Sequence, residues 1–170
     1  MEFSHFDGSG RARMVDVSGK EPSCREARAV GKILVSREVF SAIREGTVKK
    51  GDVLAVAATA GTMGAKRTWE LIPMCHILPL ESCRVEFEMK EEELAVYCFC
   101  TVRVTGKTGV EMEALTGAST ALLTIYDMCK SMDKSMEIGE IYLQEKTGGK
   151  SGEVKNDMPR RRVFREEEIR

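Results

Sequence analysis

The chain has 170 residues, with 26 basic and 27 acidic side chains and a formal net charge of -1. This length predicts one domain with a flanking tail, and the near-zero charge argues against the basic field of a nucleic-acid or membrane binder. No uncharged run approaches the roughly 18 residues of a membrane span, and the N-terminus lacks the apolar run of a signal peptide. We therefore expect a cytoplasmic protein.

The cysteines and histidines argue against a disulfide framework and against a metal site. Six cysteines include no CxxC pair, and most stand in apolar runs, where a reduced cysteine behaves as a small hydrophobic residue. His5 and His76 are the two histidines, too few for the ligand set of a structural zinc ion. We expect free thiols and no bound metal.

Composition divides the chain into three parts. Residues 1–22 are rich in glycine, serine and charge, which predicts a flexible leader. Residues 23–147 carry the apolar periodicities of a single α+β domain. Residues 148–170 begin with a glycine-rich loop and continue as a densely charged segment, which predicts a disordered tail.

Within the domain, apolar periodicity and the placement of Ser36, Gly46 and Pro73 as helix boundaries predict the elements. The predicted elements are, in chain order, a strand over 28–35, helices over 36–45 and 52–71, strands over 82–89 and 94–104, a helix within 105–130 and a strand over 138–146. This split βαβ order predicts an α+β, ferredoxin-like fold, with an antiparallel four-stranded sheet and long buried helices on one face.

The long helix within 105–130 has charges only at the two ends of its uncharged centre, residues 114–126. A surface helix would show a polar face, so this pattern predicts a buried helix. The charged residues stand at the edge of a packed core, where burial and neighbouring charges shift pKa values most. They are Glu111 and Glu113 at the front, and Asp127 and Lys130 at the back. Acid/base chemistry and simple capping of a core helix both fit them.

Further candidate residues stand in unusual places. Lys50 precedes a helix N-terminus, where an anion would offset the crowding of positive charge, although a solvated lysine loop is the alternative. His76 lies in a proline-bounded apolar link, which suits a core histidine bonded to backbone as well as a catalytic one. Lys146 ends the last strand, in a position that suits either a solvated or a cleft-facing lysine.

Two glycine-lysine segments, 106–108 and 149–151, imitate a phosphate-binding loop. Thr101 and Gln144 stand where a Walker motif requires its first glycine, so neither segment is one. Contact with phosphate through backbone amides and a plain tight turn both remain open for each loop.

Several segments together resemble the cyclic pyranopterin monophosphate synthase family, molybdenum cofactor biosynthesis protein C. The resemblance covers nearly all of the chain that is expected to be ordered, and it is far more specific than a single motif. One departure is Ile77, which follows His76 where the family pattern usually has proline. The matching segments are MVDVSGK at 14–20, REARA at 25–29, KGDV at 50–53, AKRTWELIPMCH at 65–76, TGKTGVEMEALT at 105–116, LTIYDMCK at 123–130 and KTGGKSG at 146–152.

The resemblance implies that the domain is catalytic and assigns two groups of site residues. An acid/base group consists of Asp127, Lys130 and Lys50. Like-charge repulsion and burial in a cluster of lysines around the triphosphate would lower the pKa of an unpaired lysine, so that Lys50 or Lys130 could act as base or acid. The residues that it implies for binding the substrate are Met74, Cys75, His76, Glu111, Met112, Glu113 and Lys146.

The implied reaction rearranges 3',8-cyclo-7,8-dihydro-GTP into cyclic pyranopterin monophosphate and releases diphosphate, in molybdenum cofactor biosynthesis. Ring opening and ring closure require proton transfer, and the triphosphate requires cations. No resident cofactor is expected, and Mg²⁺ carried on the triphosphate is the one ion that the reaction leaves room for. The implied assembly is a homohexamer, a trimer of dimers, with the active site shared at the dimer interface.

The length of the long helix is consistent with a shared site. Glu113 and Asp127 are fourteen residues apart, so a rise of 1.5 Å per residue separates their backbones by roughly 21 Å. A nucleotide-sized substrate can hardly react at both ends of one such helix. The alternative to an enzyme is a non-catalytic nucleotide-binding or regulatory module on the same scaffold, because a fold alone does not dictate activity.

Overall fold

The structure is a computed structural model that describes residue 11, residues 13–150 and residues 152–156. The parts of the predicted leader and tail at 1–10, 12, 151 and 157–170 lie outside the described residues. The described chain forms, in order, β1 (Ser23–Leu34), α1 (Arg37–Glu45), α2 (Val53–Lys66), α3 (Thr68–Leu71), β2 (Ser82–Lys90), β3 (Ala95–Gly106), α4 (Glu111–Cys129), β4 (Glu137–Thr147) and β5 (Val154–Lys155).

The helices begin and end where local chemistry favours it. The Ser36 side chain accepts a hydrogen bond from the Val39 amide at the start of α1, and Gly46 ends that helix in the left-handed conformation at φ 68°. The Asp52 carboxylate accepts from the Ala55 amide and caps α2 in the same way. The predicted second helix is interrupted at Arg67, where φ is -110°, and the short α3 follows.

The sheet has the strand order β2-β3-β1-β4-β5, and every adjacent pair of strands is antiparallel. A mixed α/β fold with an antiparallel sheet is therefore confirmed. The count of four strands is not confirmed, because the described chain adds a two-residue strand, β5. Gly148 and Gly149, with φ of 87° and 72°, turn the chain after β4, and Val154 then pairs with Lys146 along the free edge of β4.

The core lies between the sheet and the two long helices. The side chains of β3 that face the helices are completely buried, as are those of β1 at Ala29 and Ile33. The α4 helix packs on β1, β3 and β4, while α2 packs on β2 and on α4. The completely buried residues of α4 are Ala114, Ala118, Ala121, Leu122, Ile125 and Cys129.

Glycines let α2 and α4 approach each other closely. A Cβ placed on Gly61 would lie 2.9 Å from the Gly117 carbonyl oxygen, and one placed on Gly117 would lie 3.2 Å from the Gly61 carbonyl oxygen. The outer side of this helix pair is apolar but exposed in the single chain, with Leu123 at 60% and Met63 at 48% exposure. The pair therefore buries only one of its apolar sides within one chain.

Candidate active site

A cavity of about 310 Å³ lies at the N-terminus of α4. The loop before β2 forms one wall, the first turn of α4 forms another, and Val15 and Val17 from the N-terminal segment close a third side. Six predicted substrate-binding residues line this one cavity, namely Met74, Cys75, His76, Glu111, Met112 and Glu113.

His76 is held by the N-terminal segment. Its Nε2 atom lies 2.9 Å from the Val15 carbonyl oxygen. A carbonyl oxygen only accepts hydrogen bonds, so Nε2 carries a proton and, in the neutral ring, Nδ1 is left as the proton acceptor. The adjacent Ile77 is 71% exposed. At Nδ1, the neutral ring of His76 can accept a hydrogen bond from a bound molecule.

The two glutamates of the cavity differ in charge preference. Glu113 is 4% exposed, and burial raises the pKa of its carboxyl, a shift that the charge of Glu111 reinforces and the Glu113 amide opposes. Burial alone would raise the pKa of Glu111 as well. However, Lys146 donates a hydrogen bond of 2.7 Å to Glu111, and this bond together with the charges of Lys146 and Arg25 lowers the pKa of Glu111 below its ordinary value. Because the pKa values of the two carboxyls are shifted in opposite directions, Glu113 is suited to hold a proton and Glu111 is suited to remain ionised.

Lys146 and Cys75 complete the surroundings of these carboxyls. Lys146 stands at the end of β4 and reaches the cavity through its ion pair with Glu111. Burial raises the pKa of the Cys75 thiol, and the charge of Glu113 adds to this shift. Cys75 therefore lines the cavity as a neutral thiol.

The three predicted acid/base residues meet at the opposite end of α4. Asp127 accepts from Lys130 at 2.7 Å and from Lys50 at 3.1 Å, and Lys50 also donates to the Asp127 carbonyl oxygen at 2.8 Å. Hydrogen bonds from Lys130 and then Lys50 lower the pKa of Asp127, and the same contact raises the pKa of Lys130. In the chain without substrate, the Asp127 carboxylate thus stabilises the charged form of Lys130.

One chain does not bring the two groups of predicted residues together. Sixteen residues separate Glu111 from Asp127 on the same helix, which corresponds to roughly 24 Å at 1.5 Å per residue. The cavity and the Lys50–Asp127–Lys130 cluster therefore stand at opposite ends of α4.

Some cavity residues were missed by the sequence analysis, which treated residues 1–22 as a leader. Val15, Val17 and Lys20 line the cavity, and Lys107 holds the same segment by donating to the Ser18 carbonyl at 2.7 Å. Lys20 also borders a neighbouring cavity of about 450 Å³ that Arg25 and Lys150 line. The signal was present in the MVDVSGK and REARA segments, which carried the resemblance without an assigned function.

The described part of the chain offers neither a metal-binding cluster nor a membrane-spanning helix. Among those residues, no group of three or more histidine, cysteine, aspartate or glutamate side chains is arranged to hold a metal ion. None of the helices in the same residues is long and apolar enough to cross a membrane.

The family model and the relatives similar in sequence point to the same family. The family model described as the MoaC family matches residues 14–149. A protein of Clostridium botulinum named cyclic pyranopterin monophosphate synthase is 57% identical over 156 residues, which cover 92% of this chain and 98% of that protein. A protein of the same name from Peptoclostridium acidaminophilum is 54% identical over 92% of this chain and 99% of that protein. Another of the same name, from Brevibacillus brevis, is 56% identical over 89% of this chain and 94% of that protein. This chain therefore belongs to the MoaC family.

Proposed function

We propose that the protein is a cyclic pyranopterin monophosphate synthase, a lyase that converts the cyclised dihydro-GTP into cyclic pyranopterin monophosphate and diphosphate in molybdenum cofactor biosynthesis. The observation that carries the proposal is the match to relatives of that name over nearly their full length. The cavity supports it independently, since it combines a carboxyl of raised pKa, an ionised carboxylate and a histidine held in one tautomer. Such a set suits repeated proton transfer to a bound heterocycle.

The proposed division of work follows the two ends of α4. Met74, Cys75, His76, Glu111, Met112, Glu113 and Lys146 bind and orient the substrate in the cavity. Asp127, Lys130 and Lys50 form the catalytic acid/base group. The ammonium groups of Lys50 and Lys130 would offset the charge of the phosphates, while Asp127 keeps both lysines positioned until substrate arrives.

The proposed assembly is a homohexamer, a trimer of dimers, in which each active site is shared by two chains at the dimer interface. The separation of the two residue groups along α4 supports sharing, because a partner α4 packed antiparallel would place its Asp127 end beside this cavity. The exposed apolar side of the α2–α4 pair supports the dimer, since pairing would remove Leu123 and Met63 from water.

The domain over 23–147 is the ferredoxin-like catalytic domain, which the strand order β2-β3-β1-β4 supports, and the segments 1–22 and 148–170 flank it. No resident cofactor takes part, and any Mg²⁺ enters on the triphosphate as part of the substrate. The proposed location is the cytoplasm, where a GTP-derived substrate is available.

The direct test is to incubate the purified protein with the cyclised dihydro-GTP and to measure diphosphate release and pterin formation. Lys50→Ala should weaken substrate binding or turnover, whereas Lys155→Ala, in a surface ion pair with Glu153, should change neither. Substrate binding without diphosphate release would support the non-catalytic module instead. Equal behaviour of the two lysine variants would remove Lys50 from the site.

A further inference from the structure

A second cavity, of about 420 Å³, lies beside the active-site cavity and contains a cluster of groups with no place in the proposed reaction. Cys83 of β2 lines it together with Thr62 and Lys66 of α2. Cys83 is partly exposed and is part of the cavity lining. A partly exposed cysteine next to a lysine is the setting in which thiols react.

The strand register brings a second thiol to the same sulfur. Cys83 pairs with Val102, and Cys100 pairs with Val85, so the two cysteines are diagonal neighbours on the helix-facing side of the sheet. Cys100 is completely buried, and its thiol hydrogen-bonds to the Cys83 sulfur. Cys100 is therefore a donor that external reagents cannot reach.

The surrounding charges favour the thiolate of Cys83. The hydrogen bond from Cys100 has the largest effect and lowers the pKa of Cys83. Burial raises this pKa, whereas a hydrogen bond from Thr62 and the charge of Lys66 lower it further. Together these effects lower the pKa of Cys83 to about 7. Besides Lys66, the charged side chain that lines this cavity is Glu81. The Glu81 carboxylate forms an ion pair with Arg103 at 4.0 Å.

We propose that Cys83 is a modification site at which small disulfides with a carboxylate group form a mixed disulfide with the protein. The Cys83 thiolate attacks one sulfur of the external disulfide, so that a new S–S bond forms and the old one breaks. The departing thiolate carries away the electron pair of the broken bond and takes up a proton from water. Lys66 would pair with the carboxylate of the bound half, and the cavity holds that half.

Cys100 stays reduced in this proposal because of its position. Diagonal neighbours on adjacent strands are about 7–8 Å apart between backbones, beyond the range that a disulfide spans without backbone movement. The backbone separation of the two strands therefore disfavours an internal Cys83–Cys100 disulfide, while the two side chains remain in hydrogen-bonding contact.

The test uses the full-length protein and two small disulfides of similar size, the anionic dithiodipropionate and the cationic cystamine. Intact mass and peptide mapping follow modification of each cysteine. We expect one adduct at Cys83 in the wild-type protein, and an alkylation rate at Cys83 that rises with a midpoint near pH 7, below the ordinary cysteine value of about 8.5. Reducing agent should remove the adduct.

Three variants separate the effects of the Lys66 charge, the Cys100 hydrogen bond and core packing on the modification rate of Cys83. Lys66→Met should lower the rate with dithiodipropionate relative to cystamine by about threefold, the range of a partly exposed ion pair. Cys100→Ala should slow modification of Cys83, whereas Cys98→Ala, which makes a similar deletion two residues away on β3, should not. Thermal unfolding of each variant checks that the fold persists.

Several outcomes would overturn the proposal. One is modification of the exposed Cys24 while Cys83 stays free, and another is a Cys83 midpoint at the ordinary cysteine value. An internal Cys83–Cys100 disulfide would show that Cys100 is a reacting partner and not a fixed donor. Equal slowing by Cys98→Ala and Cys100→Ala would show that loss of packing, and not loss of the hydrogen bond, controls the rate.

Discussion

Glu111 and Glu113 show how two identical side chains on one helix turn acquire opposite charge preferences. Glu111 reaches Lys146, so its charge is compensated, whereas Glu113 is 4% exposed and burial dominates its surroundings. The sequence identified both as candidates, because they stand at the end of an uncharged helix. It could not separate them, because Lys146 is 35 residues away in the chain and meets Glu111 only in the folded sheet.

These opposite shifts lead to a prediction about stability and pH for the substrate-free protein. Glu113→Gln should raise the Tm at pH 7, because the folded state must otherwise ionise a carboxyl whose pKa burial raises. The gain should fade as the pH falls below the ordinary value of 4.5, because the carboxyl then becomes protonated in the unfolded state as well as in the folded state.

Glu111→Gln is the matched control with the opposite sign. Its folded pKa is lowered, so its contribution is present above the ordinary value of 4.5 and is lost as the pH falls through the folded value. This variant should lower the Tm at pH 7 and approach the wild type in acid. Thermal unfolding between pH 3 and pH 8 measures both differences, and equal signs at pH 7 would contradict the assigned environments.

The cluster at the other end of α4 gives a prediction about catalysis. Asp127→Asn and Lys130→Ala should each reduce turnover by about 10²-fold or more, as is typical of acid/base groups. Both side chains are more than half exposed, so the fold should remain intact. Steady-state diphosphate release measures the loss, with Glu153→Gln as a control from a surface ion pair of the same kind. Near-normal turnover in either variant would remove that residue from the catalytic group.

At the scale of the elements, close contact between α2 and α4 depends on glycine. Gly61→Ala should lower the free energy of unfolding by about 1–3 kcal/mol, because the added methyl group would meet the Gly117 backbone and the Ala121 side chain. Gly139→Ala is the control, since a Cβ there meets no described atom within 4 Å and should change the free energy by less than about 0.5 kcal/mol. Urea unfolding compares them, and equal losses would show that the helix contact is not limiting.

Apolar periodicity predicted most of the elements, and the misses have local physical causes. Long segments such as β3 and α4 carry many residues of one period, so their type is evident from the chain. The strand β5 has two residues, too few for any period, and it exists because Gly148 and Gly149 return the chain to the edge of β4. The N-terminal wall of the cavity was missed for a similar reason, since Val15 is positioned by His76, 61 residues away.

At the scale of the whole molecule, the shared active site can be tested by complementation. Glu113→Ala and Asp127→Ala should each be inactive alone. After subunit exchange at equal amounts, half of the dimers are mixed, and each mixed dimer contains one intact and one doubly damaged site. Activity should return to about a quarter of the wild-type value.

Exchange itself is verified by mass tags on the two variants, and a mixture without exchange should remain inactive. Verified exchange that restores no activity would show that the catalytic group and the cavity act in separate places or within one chain. The roughly 24 Å between the two groups along α4 makes the second of these arrangements sterically difficult for a single substrate.

The sequence by itself determined which residue types are available, which segments are helices and strands, and which family the motifs resemble. These properties are local, because periodicity, caps and motifs are written in neighbouring residues. Only the tertiary structure decided which residues share a cavity, which glutamate holds its charge and which cysteine meets Lys66. Those properties depend on burial and on contacts between residues distant in the chain, and both arise only when the helices pack on the sheet.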